Sequence, residues 1–167
     1  MQYKQRMYGL VPYNISPIQQ AIQYGHAVVE YGLHKYTDDD YQQWANHDKT
    51  FIILNGGTTN KTPDIVTGEP FGTLNQHLLE LIRMGIPNAT FMEPDLGDQL
   101  TAVVFLVDER VWDKETYPDF NDELLMDPSR QLTDDEYWIE RYNDWVDSVG
   151  GEKNVFLREF LQPFRLA

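Results

Sequence analysis

The sequence predicts an α/β domain: a small mixed four-stranded sheet flanked by helices, with an acidic helical C-terminal extension. Three observations carry that expectation. Apolar runs of strand length alternate with helix-period segments in the order strand, helix, helix, strand, helix, strand, strand, which suits a layered domain with a mixed sheet. At 167 residues the chain is long enough for one core and short for two. Charge is also uneven: from Asp108 to Glu152 there are 15 acids against 4 bases, −11 of a formal net charge of −14. The expected division is therefore residues 1–107 for the α/β body and 108–167 for an aromatic-rich extension packed on it.

The first strand is read from MYGLVPY, residues 7–13, with Pro12 restricting it to an edge or a strand end. A helix follows at once. Ser16 is a good N-cap, Pro17 suits the first helical position and Gln19 stands where a capping-box partner reaches back. Ile18, Ile22, Gly25, Val29 and Gly32 or Leu33 recur at three and four, so they are expected to form its buried stripe. A glycine in mid-helix costs about 1 kcal/mol, and Gly25 is read as a point where the Gly-Gly loop or the last strand approaches closely. His26 then sits at the rim of that contact.

A shorter helix is expected from Thr37, with acids in its first turn. A buried strand, Thr50 to Leu54, follows and ends in the polar loop NGGTTNKT. Residues 62–72, with two prolines and two glycines, read as loop. TLNQHLLELIRMG is a third helix with Thr73 as cap and Gly85 as stop. ATFMEPD and LTAVVFLVDERVW supply the last two strands. In the extension, Thr133 is expected to cap a helix bearing Tyr137, Trp138, Ile139, Tyr142, Trp145 and Val149, with Gly150 ending it. An amphipathic helix of this kind must bury its stripe, on the body or on a second subunit. The phenylalanines and leucines of NVFLREFLQPFRLA argue for a tied-down terminal helix.

Composition removes several function classes. A surface this acidic repels phosphate backbones, so extended nucleic acid is not an expected partner. The sequence has no cysteine, which removes disulfides, thiolate metal sites and a Cys nucleophile. His34, His47 and His77 show no zinc-ligand spacing, so no metal site and no cofactor is expected. The N-terminus lacks the apolar run of a signal peptide, and no eighteen-residue apolar stretch occurs. The reading is of a soluble cytoplasmic protein that does not bind membranes.

Three places could carry chemistry. In NGGTTNK, a glycine pair after a strand can turn backbone N–H groups toward an anion, with donors added by Thr58, Thr59, Asn60 and Lys61. A plain Gly-Gly turn explains the same residues equally well. In MEPDLGDQLT, Glu93, Asp95 and Asp98 cluster at a strand end where a turn can aim carboxylates into one cleft, as a general base or cation ligands. Pro, Asp and Gly are also what a solvated turn uses. His26 borders the first helix's stripe and is either a structural histidine or a pocket residue.

Three segments together resemble the type II peptidyl-tRNA hydrolases, over roughly residues 5–107. Gln23, Tyr24, Gly25, His26 and Ala27 fit that family's Gln-x-x-His-Ala helix motif. KTFIILN is similar to its second strand, MGIPNATFMEPD to its turn and third strand, and LTAVVFLV to its closing strand. The resemblance implies a small mixed sheet flanked by helices, and a homodimer or higher homo-oligomer. It also implies a site in which Gln19 or Gln20 stands where the family has a catalytic lysine, and Glu93 where it has an aspartate. Pro94 and Asp95 replace Ala-Gly, and Thr101 is the remaining counterpart of its threonines. Loss of that cation and gain of carboxylates works against a tRNA phosphate. The chain is also similar to small accessory proteins of tailed phages with this fold, which implies a host-directed or anti-defence role in the host cytoplasm.

Together these readings give an expected ligand site of Gln19, Gln23, His26, Asn55, Gly56, Gly57, Thr58, Thr59, Asn60, Glu93, Asp95, Gln99 and Thr101. They would meet at the sheet edge and enclose a small nucleotide-like signalling ligand, its phosphates on the glycine loop, sequestered without turnover. One alternative is a hydrolase of an ester or phosphodiester with His26 and Glu93 as acid and base. The other is an inhibitor that docks through the acidic, aromatic segment Asp108 to Glu152.

Overall fold

The computed structural model describes residues 2–121 and 134–167. It shows an α/β fold built on a mixed sheet of four strands: β1 (Gln5–Pro12), β2 (Thr50–Gly57), β3 (Ala89–Glu93) and β4 (Gln99–Asp108), in the order β2-β1-β4-β3. β1 pairs parallel with β2 and antiparallel with β4, and β3 pairs antiparallel with β4. The first three strands therefore end at the same side of the sheet, where β4 begins. Pro12 is the last residue of β1, beside a bulge, so its missing N–H falls where the pairing stops.

One face of the sheet is covered by α1 (Pro17–Lys35), with α2 (Asp39–Gln43) and a π-helical turn, Trp44–Asp48, packed beside it. The start of α1 is as its local sequence dictates: the Ser16 side chain accepts from the Gln19 N–H while Gln19 Oε1 accepts from the Ser16 N–H. Its buried face is not the expected stripe. Gln20, Gln23, Tyr24, Ala27 and Tyr31 are buried, whereas Ile18, Ile22, Val29 and Leu33 are exposed. Two faces of this helix satisfy a 3.6-residue period, and the inner one wins because its polar ends find partners on the sheet. The Tyr24 hydroxyl donates to Met7 O at 2.7 Å and Gln20 Nε2 to Pro12 O at 3.1 Å. A Cβ on Gly25 would meet nothing within 4 Å, so neither the Gly-Gly loop nor the last strand approaches it.

The opposite face is covered by α3 (Thr73–Arg83) and α6 (Glu152–Phe160). Leu74 and Leu81 of α3 and Leu157 and Phe160 of α6 share one apolar cluster with Leu10, Leu54 and Phe105 of the sheet. The N-cap of α3 is Gly72; Thr73 is its first residue, because its hydroxyl is taken by the loop before it. Gly85, at φ 65°, follows the end of α3 in the left-handed conformation that suits a helix stop.

α4 (Glu109–Trp112) continues from β4, and α5 (Asp134–Ser148) packs through Val146, with Val149 just beyond its end, against Val155 of α6. Gly150, at φ 98°, follows the end of α5, and the proposed cap Thr133 lies outside the described residues. Trp138 and Ile139 on α5 remain partly exposed. The terminal segment is tied down: Asn55 N–H donates to Arg165 O at 2.9 Å and Ala167 N–H to Ile53 O at 3.0 Å, so the outer edge of β2 is covered by the last residues. No described helix is long and apolar enough to cross a membrane.

Candidate functional site

The common end of β1, β2 and β3 is where loops converge, and β4 contributes an irregularity there. Phe91 pairs with Ala102 but Met92 pairs with Leu100, so Thr101 is an extra residue in β4, a β-bulge. Strict alternation would put Thr101 on the α3 face with Val103 and Phe105. The bulge turns it to the α1 face beside Ala102, while Leu100 takes the α3 side.

Thr101 is fully buried. Its hydroxyl donates to Gln23 Oε1 at 2.6 Å, and Gln23 Nε2 donates to Glu93 Oε2 at 2.6 Å. The other Glu93 oxygen accepts a long bond from the Asp95 N–H at 3.4 Å. This relay fixes a half-buried carboxylate from a fully buried hydroxyl, through an amide whose two ends are both used. Directly across the strand pair from Glu93 stands Gln99, whose Oε1 is buried and makes no hydrogen bond among the described residues. Glu93 is therefore the half-buried acceptor of the pair, and Gln99 Oε1 is enclosed beneath the surface.

The next row along the same face is aromatic. His26, one turn beyond Gln23 on α1, is exposed and lies over Phe91, with ring centroids 4.4 Å apart and planes at 20°. Phe91 precedes Glu93 by two positions on β3, so ring pair and carboxylate share one side of the strand.

The glycine loop lies elsewhere. β2 and β3 are opposite edges of the sheet, and the loop after β2 is held by α3. Gly57 N–H donates to Asn55 Oδ1, Thr58 N–H to Thr73 Oγ1 and Asn60 N–H to Asn75 Oδ1, each at 2.9 Å. Thr59 Oγ1 also reaches Asn75 Oδ1, at 3.5 Å. These amides are committed within the protein and do not form an open anion cradle. The glycines answer to packing: a Cβ on Gly56 would lie 2.7 Å from Leu74 Cδ1, and one on Gly57, at φ 88°, would lie 1.9 Å from Thr73 Oγ1. Asn55, Gly56 and Gly57 instead line a cavity of about 370 Å³ with Thr73, His77, Phe164 and Arg165.

The predicted residues thus divide. Gln23, His26, Glu93, Gln99 and Thr101 come together on the α1 face. Asn55 to Asn60 belong to the α3 side, linked to the β3–β4 turn by Lys61, whose Nζ donates to Gly97 O at 3.1 Å. Asp95 is exposed on that turn. Gln19 is occupied by the Ser16 cap and Gln20 by Pro12 O, so neither side chain reaches Glu93. Phe91 was not among the expected residues, although the alternation Ala89, Phe91, Glu93 places it on the same side as the carboxylate.

Compared with family models and with curated proteins, the sequence matches none.

Proposed function

We propose that this protein binds a small nucleotide-like ligand by its base, on the surface where α1 meets the β3–β4 pair, and holds it without turnover. The observation that carries the reading is the Thr101–Gln23–Glu93 relay, which presents a fixed carboxylate beside an exposed histidine ring. The Glu93 carboxylate, held by Gln23, calls for a ligand edge made of donors. A ring N–H next to an exocyclic amino group, the arrangement in guanine, matches the two oxygens of one carboxylate. His26 offers that base a stacking surface backed by Phe91. Glu93, Asp95 and Asp98 repel phosphates, so the phosphate end points away from the turn. Sequestration needs no nucleophile. With the likeness to tailed-phage accessory proteins, the reading is of an anti-defence protein that withdraws a signalling nucleotide.

Calorimetric titration with guanine and adenine nucleotides tests this. Guanine nucleotides are expected to bind and adenine nucleotides, which lack the paired donors, to bind weakly. Glu93→Gln, which sets an N–H₂ against a donor edge, weakens binding by at least about tenfold. Flat traces with every purine nucleotide would sink the reading.

A second reading follows from the same relay, because a carboxylate held in one orientation is also what a general base requires. In that case Glu93 activates water against an ester or phosphodiester. It predicts product on incubation with a bound nucleotide, lost in Glu93→Gln; chromatography showing intact ligand favours the binder.

A further inference from the structure

The outward face of α1 has no partner among the described residues and is built like an interface. Ile18 is 71%, Ile22 50%, Val29 62% and Leu33 66% exposed, in a line down the side opposite the sheet. Gly25 lies in the middle of that line with open space above it. At about 100° per residue, every position of α1 within roughly 60° of the line is free of Asp, Glu, Lys and Arg. This is an uncharged strip on a chain of net charge −14.

We infer that the strip is occupied by the same strip of a second copy, crossing antiparallel about a two-fold axis between Gly25 and His26. The sequence positions are self-complementary about that point. An isologous contact requires that when one residue meets another, the reverse pair also forms. Such an axis pairs Ile22 with Val29 and Ile18 with Leu33, each apolar on apolar, and brings Gly25 to the crossing point, where a bare backbone lets the helices approach. The four residues expose less than about 500 Å² per protomer, so full pairing buries less than about 1,000 Å², the size of a weak interface. A lipid surface fits less well: an interfacial helix borders its apolar face with Lys and Arg, whereas α1 carries Lys35 alone, at its end. In the dimer each His26 ring lies at the axis against the partner copy's Gly25, so the seam and base stacking compete for the same ring. This inference rests on α1 alone, and sedimentation without nucleotide tests it apart from the ligand.

Sedimentation velocity of the full chain is expected to show a species of twice 19.6 kDa. Added salt tightens it by screening repulsion between two acidic bodies. Ile22→Lys, at a position already exposed in the protomer, raises the dissociation constant by at least about tenfold with the far-ultraviolet dichroism unchanged. The protein has no cysteine, so introduced thiols report the register. Oxidising a mixture of Ile22→Cys and Val29→Cys gives a crosslinked heterodimer, whereas neither variant alone crosslinks efficiently. A monomer at all concentrations, a dimer indifferent to Ile22→Lys, or equal self-crosslinking of Ile22→Cys overturns the inference.

Discussion

Thr101 donates its hydroxyl proton to Gln23 Oε1 across 2.6 Å, although 78 positions separate them in the chain. The bond joins a strand bulge to the inner face of the first helix and leaves the Gln23 amide free to donate to Glu93. Removing the hydroxyl while keeping the shape isolates its contribution. Thr101→Val is expected to destabilise the fold by about 1–2 kcal/mol, since it leaves a buried amide oxygen unpaired. Thr101→Ser, which keeps the hydroxyl, is expected to retain most of the stability that Thr101→Val loses. Urea denaturation of the three proteins measures both.

Two glycines predict opposite outcomes for the same substitution. A Cβ on Gly9 would lie 2.3 Å from the Tyr24 ring and 3.1 Å from Val104 Cγ1, both in the packed core. Gly9→Ala is expected to cost about 2 kcal/mol or more through overpacking. Gly25→Ala meets no atom among the described residues and gains about 0.5–1 kcal/mol of helix propensity. Thermal melts at low protein concentration, where the protomer dominates, should shift down for the first and up for the second.

Asp40 gives a pH dependence with a definite sign. Burial, then the nearby Asp108 and Asp38 carboxylates, raise its carboxyl above the ordinary value. The folded state therefore holds this proton more tightly than the unfolded state. The stability this group contributes is complete below the ordinary carboxylate range and is lost as pH rises through the raised value. Asp40→Asn, which can still accept from Gln5 Nε2 at its present 3.1 Å, should melt higher than the parent at pH 7. The advantage should shrink as pH falls toward about 4.

Arg158 predicts a large effect from a charged residue. It is 4% exposed and donates to Arg110 O, to Tyr117 O at 2.7 Å and to Asp119 Oδ1 at 2.8 Å. Truncation removes the donor that ties the segment after α4 to α6. Arg158→Ala is expected to cost about 3 kcal/mol. Asp119→Ala, whose carboxylate is more than half exposed, is expected to cost less than about 1 kcal/mol. Chemical denaturation of both variants separates the two roles.

Much of the fold was legible because its signals are local. Ser16, Pro17 and Gln19 spell a helix start within four positions, and Gly85 and Gly150 mark the stops of α3 and α5. The strand runs stand out by their apolar content, and their order with the helices gave the mixed four-stranded sheet. What was not legible depends on residues far apart in the chain. The inner face of α1 is set by Pro12 O, Met7 O and Glu93, none of which appears in the helix's own periodicity, so its exposed stripe looked like the buried one. Gly56 and Gly57 read as an anion loop, yet their smallness answers to Leu74 and Thr73. Gln23, His26, Glu93, Gln99 and Thr101 were named from the sequence, while the bulge that brings Thr101 to them is a matter of strand pairing.

That bulge makes the Glu93 cluster a property of strand length as much as of composition. β4 gives two consecutive side chains, Thr101 and Ala102, to one face of the sheet. Deleting a single residue from β4 near this point would restore simple alternation while leaving every side chain of the relay in the sequence. The sheet would keep its order and the relay would lose its first donor. For a designer, the cluster can be assembled or dispersed by moving the frame of one strand, without changing any of the groups that form it.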